Sequence, residues 1–348
     1  LRGCKARAGA LYVRLLPSAR GGGHSAPPPD AAVKNIAKRG RNGYNKSVNC
    51  LFLYHPTSGK GKVAKKIGYI ERTLRSHFDG VDIIATESGE DMTSHARAGA
   101  QKYDVILFSG GDGTFNRVLQ GIGEAQVQLG YIPGGTTNDV ARSLGIPRNV
   151  KGALGVILKG HEAWLDVMRL NGGRYAMYIA AAGAFTRATY TAKPSSKKKF
   201  GILAYAFEVI RRELKLRVFP LKVTSEEESV QTHSVLILTM NGRSVAGMRV
   251  NRHASMADGQ MEMAIIRQKE RPGFFARMGA YATLVALFLF RGKGRKKHLA
   301  FLRGSRFQIE TAQDVVWDLD GEEGMRGNIE VELLPRRMRL FVPEKKKI

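Results

Sequence analysis

The chain has 348 residues, 43% of them hydrophobic and 25% charged, enough length and apolar content for two domains with real cores. Fifty-six Lys and Arg against 30 Asp and Glu leave a formal charge of +26, so the folded protein should attract polyanions: nucleic acid, an anionic membrane or phosphorylated substrates. Cys4 and Cys50 are the only cysteines, which excludes a disulfide framework and fits a reducing compartment, and the longest apolar run, Ala280–Phe290, is too short for a bilayer core that needs about twenty residues.

Residues 1–45 hold one acid, Asp30, among nine Lys and Arg, with a Gly- and Pro-rich stretch at Gly21–Pro29, a composition that predicts a disordered basic arm. Arg14 splits the only apolar stretch near the start, Ala10–Leu16, so no secretory leader is expected there. The first residue is Leu1 and not Met, and whether this arm belongs to the natural protein stays open. From Ser47 the texture changes. Val48–Tyr54 reads as a strand, Pro56–Lys62 as a turn, and Val63–Phe78 as a helix with Ile67, Ile70, Leu74 and Phe78 on one face. Strands are expected at Val81–Ala85, Val105–Phe108 and Leu129–Pro133, and helices at Asp91–Lys102, from Phe115 to Gly121, and at Val140–Leu144. Strands alternating with helices predict a parallel, Rossmann-like sheet over 46–165, with glycine loops at the strand ends where open α/β sheets bind ligands.

Beyond about Asp166 the pattern shifts. Arg174–Ala181, Leu221–Thr224, Ser234–Asn241, Met261–Arg267, Phe307–Glu310 and Val315–Asp320 are β-like, and helical stretches interrupt them near Leu203–Leu214 and Pro272–Phe290. The expectation is a second, antiparallel β-rich domain over 166–327, with the active site in the cleft between the two. The apolar Ile329–Leu334 and Arg339–Pro343, within 328–348, can return to the first domain.

Three glycine-bearing loops carry the chemistry. His55–Lys62 has small residues that let backbone N–H groups face an anion, but it lacks the first glycine of a Walker loop, and a plain strand-to-helix turn explains it as well. In Gly110-Gly111-Asp112-Gly113-Thr114-Phe115-Asn116, three glycines frame one aspartate. The main chain can then approach a pyrophosphate closely, Asp112 can hold Mg²⁺ through water, and Thr114 and Asn116 can donate to phosphate oxygens. Ile132–Asp139 repeats the theme, with Thr136 and Asn138 beside a glycine pair; the plainer reading makes Asn138 or Asp139 an N-cap.

Gly110–Asn116 together with Pro133–Asp139 resembles the G-G-D-G-T and P-x-G-T-x-N-D motifs of the diacylglycerol kinase catalytic-domain superfamily, most closely its soluble bacterial lipid kinases. The resemblance runs from about Val48 to Pro343 and takes in Ala181–Phe185, Ala257-Asp258-Gly259 and Asp320-Gly321-Glu322. It implies a nucleotide-binding first domain and a lipid-substrate second domain, with ATP and Mg²⁺ as cofactors. ATP would be held by Thr57, Ser58, Gly59, Thr86, Gly110, Gly111, Asp112, Gly113, Thr114, Asn116 and Thr136. A structural Mg²⁺ would be held by Asp258 with the carbonyls of Ser255 and Gln260. The catalytic carboxylates would be Asp320 and Glu322. A lipid hydroxyl has a very high pKa, so a carboxylate must accept its proton as phosphorus is attacked. Glu322 is favoured as the base, with Asp320 as its partner or a metal ligand; alternation along a strand would put both on one face. Without the family, Asp320-Gly321 reads as a hairpin turn. Three departures from the family pattern stand out: His55 for asparagine before Pro56, Arg117 for glutamate after Asn116, and the extra Glu323-Gly324.

The expected reaction is transfer of the γ-phosphate of ATP to a lipid hydroxyl, diacylglycerol first, with sphingosine or ceramide, or NAD, as alternative acceptors. A basic nucleic-acid- or membrane-binding protein without catalysis would account for the charge but not for the glycine loops, and no nucleic-acid motif is present. Phe274, Phe275, Tyr281, Leu284, Leu287, Phe288 and Phe290, followed by the basic run Arg291–Lys297, suit a helix at an anionic bilayer surface or a core helix before a solvated loop. Lys197–Lys199 and Lys345–Lys347 add positive charge. The scattered histidines give no zinc pattern. The expected location is the cytoplasm, peripheral to the inner membrane face, and the partners are ATP, a lipid and the membrane surface, with a homodimer left open.

Overall fold

The computed structural model describes residues 47–184, 217–251, 254–289 and 297–344. The expected basic arm, the helix near 203–214, Phe185, Phe290, the lysine runs 197–199 and 345–347, and residues 291–296 of the basic run lie outside the described residues.

Four short apolar segments form the parallel part of the molecule: β1 (Asn49–Tyr54), β2 (Gly80–Ala85), β3 (Val105–Gly110) and β4 (Gln128–Pro133). They lie side by side in the order β4-β3-β1-β2, all parallel. Every residue of β3 and β4 is buried, as a sheet covered on both faces requires. The covering helices are α1 (Ile67–Arg75), α2 (Gly89–Lys102), α3 (Asp112–Ile122), α4 (Asp139–Leu144) and α5 (Val150–Lys159).

The differences from expectation have local causes. The helix expected from Val63 starts in earnest at Ile67, because Gly59 and Gly61 take positive φ and the chain passes through 3₁₀ turns at Ser58–Gly61 and Ala64–Lys66. Helix α2 begins two residues earlier than expected, at a cap in which Asp91 N donates to Ser88 Oγ at 3.1 Å. Helix α3 begins inside the glycine motif, so Asp112, Gly113 and Thr114 form its first turn and are not a loop. Helix α5, capped by Asn149 Oδ1 accepting from Gly152 N at 2.8 Å, and the next strand were not anticipated.

The second part is β-rich and antiparallel: β5 (Glu162–Leu170), β6 (Arg174–Ala176), β7 (Ile179–Gly183), β8 (Phe219–Thr224), β9 (Ser229–Met240), β10 (Ser244–Val245), β11 (Met248–Arg249), β12 (Met261–Gln268), β13 (Leu299–Gly304), β14 (Arg306–Thr311), β15 (Val316–Leu319) and β16 (Glu322–Arg326), with one helix among the described residues, α6 (Phe274–Leu289), packed on β12. The architecture is the expected α/β part followed by an antiparallel β-rich part. With a last strand, β17 (Ile329–Phe341), the two share one continuous sheet, ordered β16-β15-β7-β9-β8-β14-β17-β4-β3-β1-β2.

The join is β17 (Ile329–Phe341). Its first residues pair antiparallel with β14, its last with β4 in parallel, and β5 runs antiparallel along it. The sequence marked two separate apolar segments here, Ile329–Leu334 and Arg339–Pro343. A single strand forms because Pro335 falls where the register shifts between Leu334 and Met338, and Arg336 takes φ 49°. A bulge absorbs the proline, and the freed Arg336 N–H donates to Asp166 Oδ1 at 2.8 Å.

Candidate active site

Three turns at neighbouring strand ends interlock through glycines. A Cβ on Gly59, after β1, would lie 2.2 Å from Gly134 O, after β4. A Cβ on Gly135 would lie 2.5 Å from Gly111 Cα, after β3. No side chain fits at either contact, so the turns can nest only with glycine there. Gly134 N and Gly135 N both donate to Gly110 O, at 2.7 and 3.2 Å. Asn138, with φ 50°, closes the third turn on itself: its Oδ1 accepts from Gly135 N and its Nδ2 donates to Gly135 O, each at 2.9 Å. It occupies the N-cap position of α4 without a side-chain cap bond.

These turns border a cavity of about 440 Å³ lined by His55, Ser58, Thr86, Ser88, Gly89, Met92, Gly111, Gly113, Thr114, Arg117 and Glu322. The wall combines small residues at the N-terminal ends of α2 and α3, where helix dipoles favour an anion, with the side chains of His55, Met92, Arg117 and Glu322. Arg117 pairs with Glu90 at 3.0 Å across Gly89. His55 is held by contacts to Glu87 O and the Thr57 hydroxyl, both at 3.1 Å.

A second cavity, of about 240 Å³, lies on the side of the antiparallel strands. Ile179, Ala181, Ala184, Leu236, Leu238, Val245 and Phe288 give it an apolar lining, and Asp112, Asp139, Asp318, Asp320 and Glu322 stand along it with Thr137 and Tyr178. Gly113 and Glu322 line both cavities. They touch: a Cβ on Gly113 would lie 2.6 Å from Glu322 Oε1.

The acids here are held in different ways. Asp320 is buried, and its four close donors are Asn116 Nδ2 (2.9 Å), Met177 N (2.6 Å), Tyr178 N (3.0 Å) and Ile179 N (3.1 Å). Burial pushes its carboxyl up to about 6 against those donors. Asp320 and Gly321 have φ of 55° and 91° and form the two-residue turn between β15 and β16. The expectation that Asp320 and Glu322 alternate along one strand is therefore corrected. Asp320 is locked in the turn, and Glu322, exposed, opens the next strand. Asp112, also raised by burial, accepts from Thr137 Oγ1 at 3.0 Å and Val140 N at 3.3 Å. Asp139 accepts on Oδ1 from Ser244 Oγ and from Gly247 N, while its buried Oδ2 has no hydrogen-bond partner among the described residues. Burial, with the Asp112 charge nearby, pushes its carboxyl up to about 6.

Of the residues singled out from sequence, Ser58, Thr86, Gly111, Asp112, Gly113, Thr114 and Glu322 come together on these two walls, and Gly59 and Gly110 support the turns behind them. Four do not fit their expected places. Asn116 is buried and donates to Tyr175 O and Asp320, so it braces the acid turn and does not face an anion. Thr57 is exposed, with its hydroxyl on His55. Thr136 is exposed on neither wall, its carbonyl held by Arg148, and the next residue, Thr137, is the one on the cavity. Asp320 lines the second cavity with its carboxylate already bound. Asp139, Thr137 and Asp318 were missed as candidates; the first two lay in a motif already recognised, next to the residue chosen.

Asp258 stands apart from both cavities. Its Oδ2 pairs with Arg303 at 2.9 Å and its Oδ1 accepts from Gln260 N at 3.2 Å. A carboxylate beside carbonyl oxygens is the right donor chemistry for Mg²⁺, but here the guanidinium holds the carboxylate. Among the described residues no three His, Cys, Asp or Glu are grouped so as to hold a metal ion by themselves. For a cation bound along with a nucleotide, the unpartnered Asp139 Oδ2 next to Asp112 is the better fit.

Interlocked glycine turns on a parallel sheet are thus joined to an antiparallel half by a shared strand. Sequence comparison assigns a family to each half. Residues 49–170 match the profile of the diacylglycerol kinase catalytic domain, and residues 179–342 match that of the YegS C-terminal NAD kinase beta sandwich-like domain. The chain belongs to the diacylglycerol kinase catalytic-domain superfamily. Diacylglycerol kinases of Staphylococcus aureus strains RF122 and MRSA252 are each 29% identical to it over 296 residues, covering 84% of this chain and 91% of theirs. Two crystal structures from Bacillus anthracis str. Sterne share the fold. One gives a TM-score of 0.74 at 24% identity over 87% of this chain and 98% of that one. The other, of a diacylglycerol kinase, gives 0.68 at 22% identity over 86% and 99%. Among the described residues no helix is long and apolar enough to cross a membrane.

Proposed function

We propose that this protein is an ATP-dependent lipid kinase that phosphorylates a lipid hydroxyl at a membrane surface, with diacylglycerol as acceptor and phosphatidic acid as product. The observation that carries this reading is the shared wall: Gly113 and Glu322 border both the cavity of glycine turns and the apolar cavity. A triphosphate on the turn amides and an alcohol among Ile179, Leu236 and Leu238 would meet at that wall.

Glu322 is the base. It takes the acceptor's proton as the alcohol oxygen forms its bond to the γ-phosphorus, while the bond from that phosphorus to the bridging oxygen breaks and ADP leaves with the electron pair. Gly113 leaves room for the carboxylate against the first turn of α3. Asp320 is a positioning residue: its carboxylate ties the turn that carries Glu322 to the main chain at Met177–Ile179. Ser58, Thr86 and Thr114 offer hydroxyls to the nucleotide, and Asp112 with Asp139 would hold Mg²⁺, which neutralises phosphate charge when bound. A structural Mg²⁺ held by Asp258 with the carbonyls of Ser255 and Gln260 would have to displace Arg303 from the carboxylate.

The test is incubation with γ-labelled ATP, Mg²⁺ and mixed micelles of diacylglycerol, sphingosine or ceramide, with NAD as a separate acceptor. Label in phosphatidic acid supports the proposal. Label in another lipid moves the acceptor, and label in NAD alone overturns the lipid reading.

A further inference from the structure

Helix α6 carries one charged residue, Arg277, in sixteen, and is apolar almost all round. Such a helix is normally buried or placed against lipid. Its inner side is buried: Ala280, Thr283, Leu284 and Leu287 pack within the protein, so the core-helix reading holds for that side. The first turns are not covered. Phe274 is 71% exposed, Phe275 88% and Met278 50%, with the two phenyl rings edge to face at 5.6 Å. Phe275, Met278 and the exposed Ala282 follow one another at helical spacing along the outer side.

The surroundings of this wedge are basic. Lys269, Arg271 and Arg277 are all exposed, and Glu270 is the one exposed acid in the segment Lys269–Met278. Rigid aromatic side chains ringed by cations match a surface that is anionic outside and apolar beneath, which is the interface of an anionic bilayer. The far end of the same helix reaches the apolar cavity through Phe288. From Phe274 to Phe288 is about 21 Å along a helix axis.

We propose that the N-terminal turns of α6 are the membrane-docking element, with Phe274, Phe275 and Met278 entering the lipid and Lys269, Arg271 and Arg277 engaging anionic headgroups. This deepens the lipid-kinase reading, on which it rests, by naming the surface that meets the bilayer.

The test is sedimentation of the full chain with vesicles of phosphatidylcholine alone or mixed with phosphatidylglycerol, at low and high salt. The wild-type chain should pellet with the mixed vesicles, and less so as salt rises. Phe274→Ser with Phe275→Ser should weaken partitioning by about tenfold or more, because two aromatic side chains no longer enter lipid. Arg271→Glu with Arg277→Glu should abolish the preference for phosphatidylglycerol. Turnover of a short-chain diacylglycerol dissolved as monomer should stay at the wild-type level in the Phe variant. Unchanged vesicle binding in the Phe variant overturns the proposal, as does a wild-type chain that never pellets. A concentration-dependent dimer that the same Phe substitutions dissolve assigns the face to a second copy, and also overturns it. A wild-type chain that binds vesicles but phosphorylates no monomeric acceptor sinks the kinase reading and leaves the docking surface standing.

Discussion

The two cavities that meet at Glu322 are built from different material. One is walled largely by turns and helix ends that nest through glycines, so backbone geometry sets much of its shape. The other is walled by side chains of strands paired far apart in sequence, such as β7 and β9, with buried acids standing among aliphatics. The first can be specified by a few residues in a row. The second exists only once the antiparallel sheet has assembled. The wall of turns can therefore stay constant while the wall of strands varies.

The sharpest break in this comparison should come from the one side chain that belongs to both walls. Glu322→Gln removes the proposed base and keeps the shape, so kcat should fall by about 10²–10⁴-fold with nucleotide affinity nearly unchanged. Steady-state kinetics beside equilibrium nucleotide titration would check it; a parallel loss of both would mean that Glu322 binds and does not catalyse. Two residues earlier the effect should change in kind. Asp320→Ala strands the Asn116 amide and three backbone N–H groups, so unfolding free energy should drop by about 2–4 kcal/mol in urea denaturation. An equally stable variant would undo the positioning role.

Asp139 sharpens the contrast through pH. Its folded-state carboxyl holds the proton up to about 6, above the ordinary aspartate value. The folded state thus binds that proton more tightly than the unfolded chain does. The resulting stability is fully present below about pH 4 and is lost as pH rises through about 6. Asp139→Asn should gain on the wild type by about 1–3 kcal/mol between about pH 4 and pH 7. Denaturation midpoints across that window would show it, and a constant difference would refute it. The smallest effect belongs to Arg117. Its partner Glu90 is largely exposed, so the pair is weak, and Arg117→Ala should leave stability within about 0.5 kcal/mol. The KM for ATP should rise a few-fold, because a cation leaves the polar wall; an unchanged KM would place the side chain outside the nucleotide's reach.

The parallel half was legible because its signals are local. Apolar runs such as Val105–Phe108 ending in glycines announce strands and turns, and Gly110–Thr114 with Pro133–Asp139 announce the wall they form. The helical start at Asp112 was hidden, since glycine suggests a loop until the backbone bonds of α3 are seen. The site was legible only in part. Thr136 and Thr137 are chemically equal on paper, and which one reaches Asp112 depends on the left-handed turn at Asn138. Asp320 and Glu322 look interchangeable as letters. One is enclosed by amides from β7 and the segment before it, about 140 residues away in sequence, and no local pattern reveals that. The bland hairpin reading of Asp320-Gly321 was right about shape, and it is this turn that separates the two acids.

The strand β17 has a mechanical consequence. Because a single stretch of backbone is laced into β14 at one end and β4 at the other, the halves cannot swing apart like jaws without tearing their own ladder of hydrogen bonds. Capture and release must then fall to smaller movements, of side chains and turns around a frame that stays rigid.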